Sequence, residues 1–268
     1  MTRDALFVGW DVGAWHCTKR RSQDALVVLS QDGVIGRPWW GNLKHQFDWE
    51  SHSTFREQIA RLCECPAIKS DHLEVVLAID ATLGFSENFL NLVNIDPQFP
   101  TGKLPKVGDK FRQNHYLFRK TERWLAKEGL KPLSAINDQI GSQATKALHV
   151  LRHYGFTTTR PGEWDQSHER IIAIETYPRA CESSTKAREL MKYFEKGLLT
   201  REIAPKSPIQ KKDEIDALWC AIIAKIFHYR KEDLVPPRGD EEISTREGWI
   251  WVPKDCAAKE MSGDINAR

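Results

Sequence analysis

Lys211-Lys212-Asp213-Glu214-Ile215-Asp216-Ala217-Leu218 opens a run that continues to His228. Ile215, Leu218, Ile222 and Ile226 recur at helical spacing, which predicts a helix with one face buried. Asp213 and Asp216 stand three apart at its start. They are therefore neighbours on the helix surface, and Asp216 lies beside the apolar stripe rather than opposite it. Acids in a first turn also complement the helix dipole, and a lone Asp needs no other reason to be there. The upstream chain adds one. Two apolar runs end on an acid, Ala5 to Asp11 and Leu73 to Asp80, and a third, Ile171 to Ile174, runs into Glu175. Three strand-end carboxylates and an acidic helix start have the makings of a metal cage assembled from distant parts of the chain.

Around these points the remaining elements fall into order. Val12-Gly13-Ala14 turns the chain out of the first strand, and Asp24 to Gln31 and Val34 to Gly41 form two more strands around an Asp32-Gly33 turn. Thr54-Phe55-Arg56-Glu57 is a capping box that starts a helix running to about Cys65, with Pro66 ending it. A helix in that place suits a crossover that brings Leu73 to Asp80 back parallel to the first strand. Helices are expected from Arg112 to Glu128, from Gln139 to Tyr154 and around Lys186 to Lys196. Gly248 to Pro253 offers a last short strand, and the final dozen residues are expected to fray. The expected organisation is one α/β domain over residues 1–253, with an insertion at about 85–135 and a tail at 254–268.

At 268 residues the chain can bury a large core, and a formal net charge of +2 gives no whole-molecule basic footprint for nucleic acid. Any such surface is local. Between Thr101 and Lys131 nine basic residues face three acids, with Phe111, Tyr116, Phe118 and Trp124 interleaved. Lys110, Arg112, Arg119, Lys120 and Arg123 are the candidates for a phosphate backbone, the aromatics for stacked bases. A solvated helix whose aromatics face the core gives the same pattern. Six cysteines are scattered, and Met-Thr-Arg-Asp leads directly into a strand without a secretory signal, so free thiols in a reducing cytoplasm are expected. No apolar run approaches the roughly 20 residues that cross a bilayer. His149 and His153 lie four apart but lack the glutamate of a zinc-protease helix, Cys63 and Cys65 have no second matched pair, and neither a Walker lysine loop nor a serine elbow is present.

Six segments, in order, resemble the predicted nucleases of domain-of-unknown-function family 429. They are Gly9-Trp10-Asp11-Val12-Gly13, Ala78 to Gly84, Phe118 to Arg123, Ile174-Glu175-Thr176-Tyr177-Pro178, Asp213 to Ala217, and Glu247 to Pro253. More distantly, the acidic helix is similar to that of RuvC-like junction resolvases. The resemblance implies a ribonuclease H-like fold, a mixed five-stranded sheet flanked by helices with a helical basic insertion after the fourth strand. It implies a nuclease dependent on magnesium or manganese, with two ions. Asp11 would be the central ligand, Asp80 and Asp216 further ligands, Asp213 a ligand or a partner behind one, and Glu175 another ligand or a water-positioning base. Carboxylates suit such hard ions. Taken singly, each acid has a local alternative: Asp11 in a glycine turn, Asp80 capping a helix near Ser86, Glu175 bonding its own turn. Two other functions share the pattern. One is a nucleotide-binding ATPase of the sugar kinase and actin type, with Asp11-Val12-Gly13 and Asp80 to Gly84 around a phosphate. The other is a non-catalytic module that binds nucleic acid or protein on the same fold.

Overall fold

The computed structural model describes residues 4–15, 23–46, 53–94, 111–200, 212–238 and 243–257. Strand β1 (Ala5–Asp11) pairs antiparallel with β2 (Asp24–Leu29), which pairs antiparallel with β3 (Val34–Gly41). Helix α1 (Phe55–Leu62) follows, and β4 (Glu74–Asp80) returns parallel to β1. Thr54 begins α1 with the expected reciprocal cap: its hydroxyl accepts from Glu57 N at 3.2 Å while the Glu57 carboxylate accepts from Thr54 N at 2.8 Å. After α2 (Glu87–Val93), α3 (Lys120–Lys127) and α4 (Gly141–His153), a hairpin of β5 (Thr157–Arg160) and β6 (Glu163–Gln166) leads into β7 (Ile171–Thr176), which lies parallel to β4. Helices α5 (Pro178–Cys181), α6 (Thr185–Thr200) and α7 (Lys212–Tyr229) precede the two-residue strand β8 (Ile250–Trp251) and α8 (Lys254–Ala257).

Among the described residues the sheet therefore has eight strands, in the order β3-β2-β1-β4-β7-β6-β5, with β8 also pairing β7. This corrects the expected five. The β5–β6 hairpin escapes a search for apolar alternation because Thr157-Thr158-Thr159-Arg160 is polar and largely exposed. Two other expectations change. Helix α3 starts at Lys120 rather than Arg112, because the Asn114 side chain accepts from Tyr116 N at 2.9 Å and Leu117 N at 3.3 Å, an Asx turn that competes with helix. The tail does not fray at residue 254: Asp255 accepts from Thr185 N at 2.9 Å, capping α6, and Cys256 is buried. Residues 258–268 lie outside the described residues.

Side-chain alternation divides the interior into two cores. Phe7, Val27, Val76 and Ile174 face α5, α6 and α7, while Leu6, Val8, Val28 and Leu77 face α1 and α4. The central strands are buried on both faces, which is why they read as unbroken apolar runs. Helix α7 lies directly on β1. A Cβ placed at Gly9 would stand 1.8 Å from Ala217 O, so glycine is required for this approach. That contact sets the first turn of α7 over the carboxyl ends of β1 and β4. Among the described residues no helix is long and apolar enough to cross a membrane.

Candidate metal site at the strand ends

Asp11 and Asp80 are direct partners in the parallel β1–β4 register. In-register neighbours point to one face, and for this pair it is the α7 face, continuing the row of Phe7 and Gly9 on β1 and of Val76 and Ala78 on β4. Among the described residues neither carboxylate has a hydrogen bond or ion pair. Their charges act on each other and on the start of α7. Burial first, then Asp80, Asp216 and Asp213, raise the Asp11 pKa well above the ordinary value. Burial, then Asp216 and Glu175, push Asp80 up to about 7, with Lys212 opposing. Burial likewise takes Asp216 to about 6, against Lys212, whose Nζ stands 4.0 Å away. Asp213 is turned aside and accepts from Trp40 Nε1 at 3.0 Å.

Glu175 has a different place from the one expected. It pairs in register with Ile79, one residue short of Asp80, so its side chain leaves the opposite face of the sheet, although it still reaches the cavity at the strand ends. There its two oxygens accept from Arg119 Nη1 at 2.8 Å and Nη2 at 2.6 Å, and Leu83 N donates at 2.9 Å. Arg119 also holds Glu122 through Nε at 2.8 Å and the Glu247 carbonyl at 3.2 Å. With Arg119 2% exposed and its charge already shared by two carboxylates, this residue is part of the interior and not of a nucleic-acid surface. The network ties together four of the six resembling segments, those around Leu83, Arg119, Glu175 and Glu247.

The other basic candidates separate. Arg112 donates to Pro132 O at 2.8 Å and sits over the Phe118 ring, Lys120 gives its backbone N–H to Glu247, and Arg123 meets His115 Nδ1. Lys110 lies outside the described residues. His149 and His153 are exposed on α4, their rings nearly parallel at 6.4 Å.

Sequence reasoning missed Asp24. It is fully buried and accepts from four donors: Lys146 Nζ at 2.7 Å, Leu43 N at 2.8 Å, Gly13 N at 2.9 Å and Trp10 Nε1 at 3.1 Å. Lys146 is equally buried, on α4. The pair fixes the turn that leaves Asp11, and Trp15 N bonds Ser142 Oγ on the same helix at 2.9 Å. A lysine set among Ala144, Ala147 and Val150 in an apolar stripe was the available signal. Glu182, which raises the Asp216 pKa, was also overlooked.

A cavity of about 200 Å³ opens beside the acid pair, lined by Asp11, Asp80 and Glu175 and walled by Pro132, Leu133, Ile140 and Tyr177. Among the described residues no three His, Cys, Asp or Glu side chains close on a single point as they stand. The donor chemistry nevertheless fits a hard divalent cation. Among the described residues Asp11 and Asp80 form no ion pair; they are held side by side and open to a cavity, with Asp216 in electrostatic reach.

No family model, curated protein or solved structure matches the chain. The functional reading therefore stands on the residues themselves.

Proposed function

We propose that the chain is a divalent-metal-dependent phosphodiester hydrolase acting on nucleic acid, built on a ribonuclease H-like core. The observation that carries the reading is the in-register pair Asp11 and Asp80, without compensating partners among the described residues, beneath the acidic first turn of α7. Two carboxylates set side by side at a partly buried sheet edge repel each other, and a bound cation removes that cost. The order β3-β2-β1-β4-β7, with β2 antiparallel and a helix between β3 and β4, supports the fold assignment.

In this reading Asp11, Asp80 and Asp216 would hold magnesium or manganese. Bound there, the metal would supply charge neutralisation at phosphorus and an activated water. Asp213, held by Trp40, stands behind Asp216 rather than at the ion. Glu175 lines the same cavity but is held by Arg119, and in this reading its role is to position the chain. It anchors Leu83 N and so fixes the segment that follows Asp80. The Asp24–Lys146 pair does the same for the segment that follows Asp11.

The test is incubation with labelled single-stranded, duplex and branched DNA and RNA in manganese or magnesium. Wild type is expected to cleave at least one member, and Asp11→Asn to lower the rate by at least about 100-fold, a ligand mattering no less than the groups behind it. Undiminished cleavage by the variant would refute the assignment.

A further inference from the structure

We infer that the cavity beside Asp11 and Asp80 takes the base or the sugar-phosphate of one unpaired nucleotide, making the substrate single-stranded nucleic acid or a frayed end. This deepens the phosphodiester hydrolase reading and rests on it. Size is the first argument. An apolar cavity of about 150 Å³ is enough for benzene, so about 200 Å³ takes a nucleobase or a sugar with its phosphate. It does not take a base pair.

The second argument is the mixed lining. Beside the two acids, where an ion and a phosphodiester would meet, Pro132, Leu133, Ile140 and Tyr177 bring apolar and aromatic groups from three separate stretches of chain. Tyr177 Oη donates to Lys131 O at 3.4 Å, which orients its ring. Leu133 is 48% exposed, an apolar side chain held out at the mouth. Flat apolar groups beside a phosphate site are what a nucleobase offers, and stacking on them is tolerant of sequence. A base inside a duplex reaches such groups only after leaving its partner.

Binding is measured by fluorescence anisotropy in calcium, with labelled single strands of about 12 nucleotides, both DNA and RNA, and with the corresponding blunt duplexes. Single strands are expected to bind at least about tenfold more tightly than duplexes. Leu133→Glu, an exposed substitution that leaves the core alone, is expected to weaken single-strand binding about tenfold and duplex binding little. Tyr177→Ala acts in the same direction. Equal or tighter duplex binding, or single-strand binding unchanged in Leu133→Glu, overturns the inference. Cleavage in manganese is scored separately. A strand preference that depends on Leu133, without cleavage, upholds the nucleotide pocket and refutes the hydrolase reading.

Discussion

Arg119→Met is expected to lower the stability of the fold by about 3–5 kcal/mol, the usual cost of removing one partner from a buried ion pair. Arg119 and Glu122 are 2% and 1% exposed, and Glu175 is buried with them. Burial alone would make the guanidinium easier to deprotonate, yet Glu122 and Glu175 together raise its pKa instead. Methionine fills much of the same volume, so packing is largely kept. What goes is the charge, along with the bonds to Glu122, Glu175 and the Glu247 carbonyl. Two carboxylates are then left in the interior without a cation. Urea unfolding followed by circular dichroism should show a lower midpoint at an unchanged slope. Adding Glu175→Gln to the same chain should recover part of the loss, because one uncompensated charge is removed. A variant within about 1 kcal/mol of wild type would show that the network is solvated rather than buried.

Asp80→Asn should have the opposite sign. The carboxyl is raised from 3.8 to about 7 by burial, Asp216 and Glu175. A raised acid contributes its stability below the unfolded pKa of 3.8 and loses it as pH rises through about 7. Without divalent cations, wild type should therefore weaken steadily from pH 4 to pH 8, while the neutral amide is spared. The variant is expected to exceed wild type by about 2–4 kcal/mol at pH 8, with a difference that shrinks towards pH 4. Denaturant unfolding in chelator at several pH values reads this directly. A variant less stable than wild type at pH 8 would mean that Asp80 is paired rather than strained. Manganese should erase the gap by stabilising wild type, since an ion bound to the native state adds its binding free energy to folding.

The readable parts of this chain are those where local pattern and tertiary role coincide. The α7 stripe, the apolar runs β1 and β4 with their terminal acids, and the Thr54 cap each depend on neighbours within a few residues. Glu175 leaves the other face of the sheet from Asp80 for a reason the sequence conceals. One residue of register decides which face of a sheet a side chain occupies, and the β4–β7 offset is set by pairing between distant segments. Arg119 looked like surface charge because basic and aromatic residues surround it. One of its two carboxylate partners, Glu175, lies 56 residues away, and Lys146 lies 122 residues from Asp24. The polar β5–β6 hairpin carries no periodic signal. It is held by its pairing with β7, with Trp164 as its buried member.

Calorimetric titration of manganese into wild type and Asp11→Asn at pH 8, with circular dichroism confirming equal folding, tests the central claim most directly. The account predicts saturable binding by wild type that is lost or weakened by at least about 100-fold in the variant. An identical isotherm for both, or no binding by either, would contradict it.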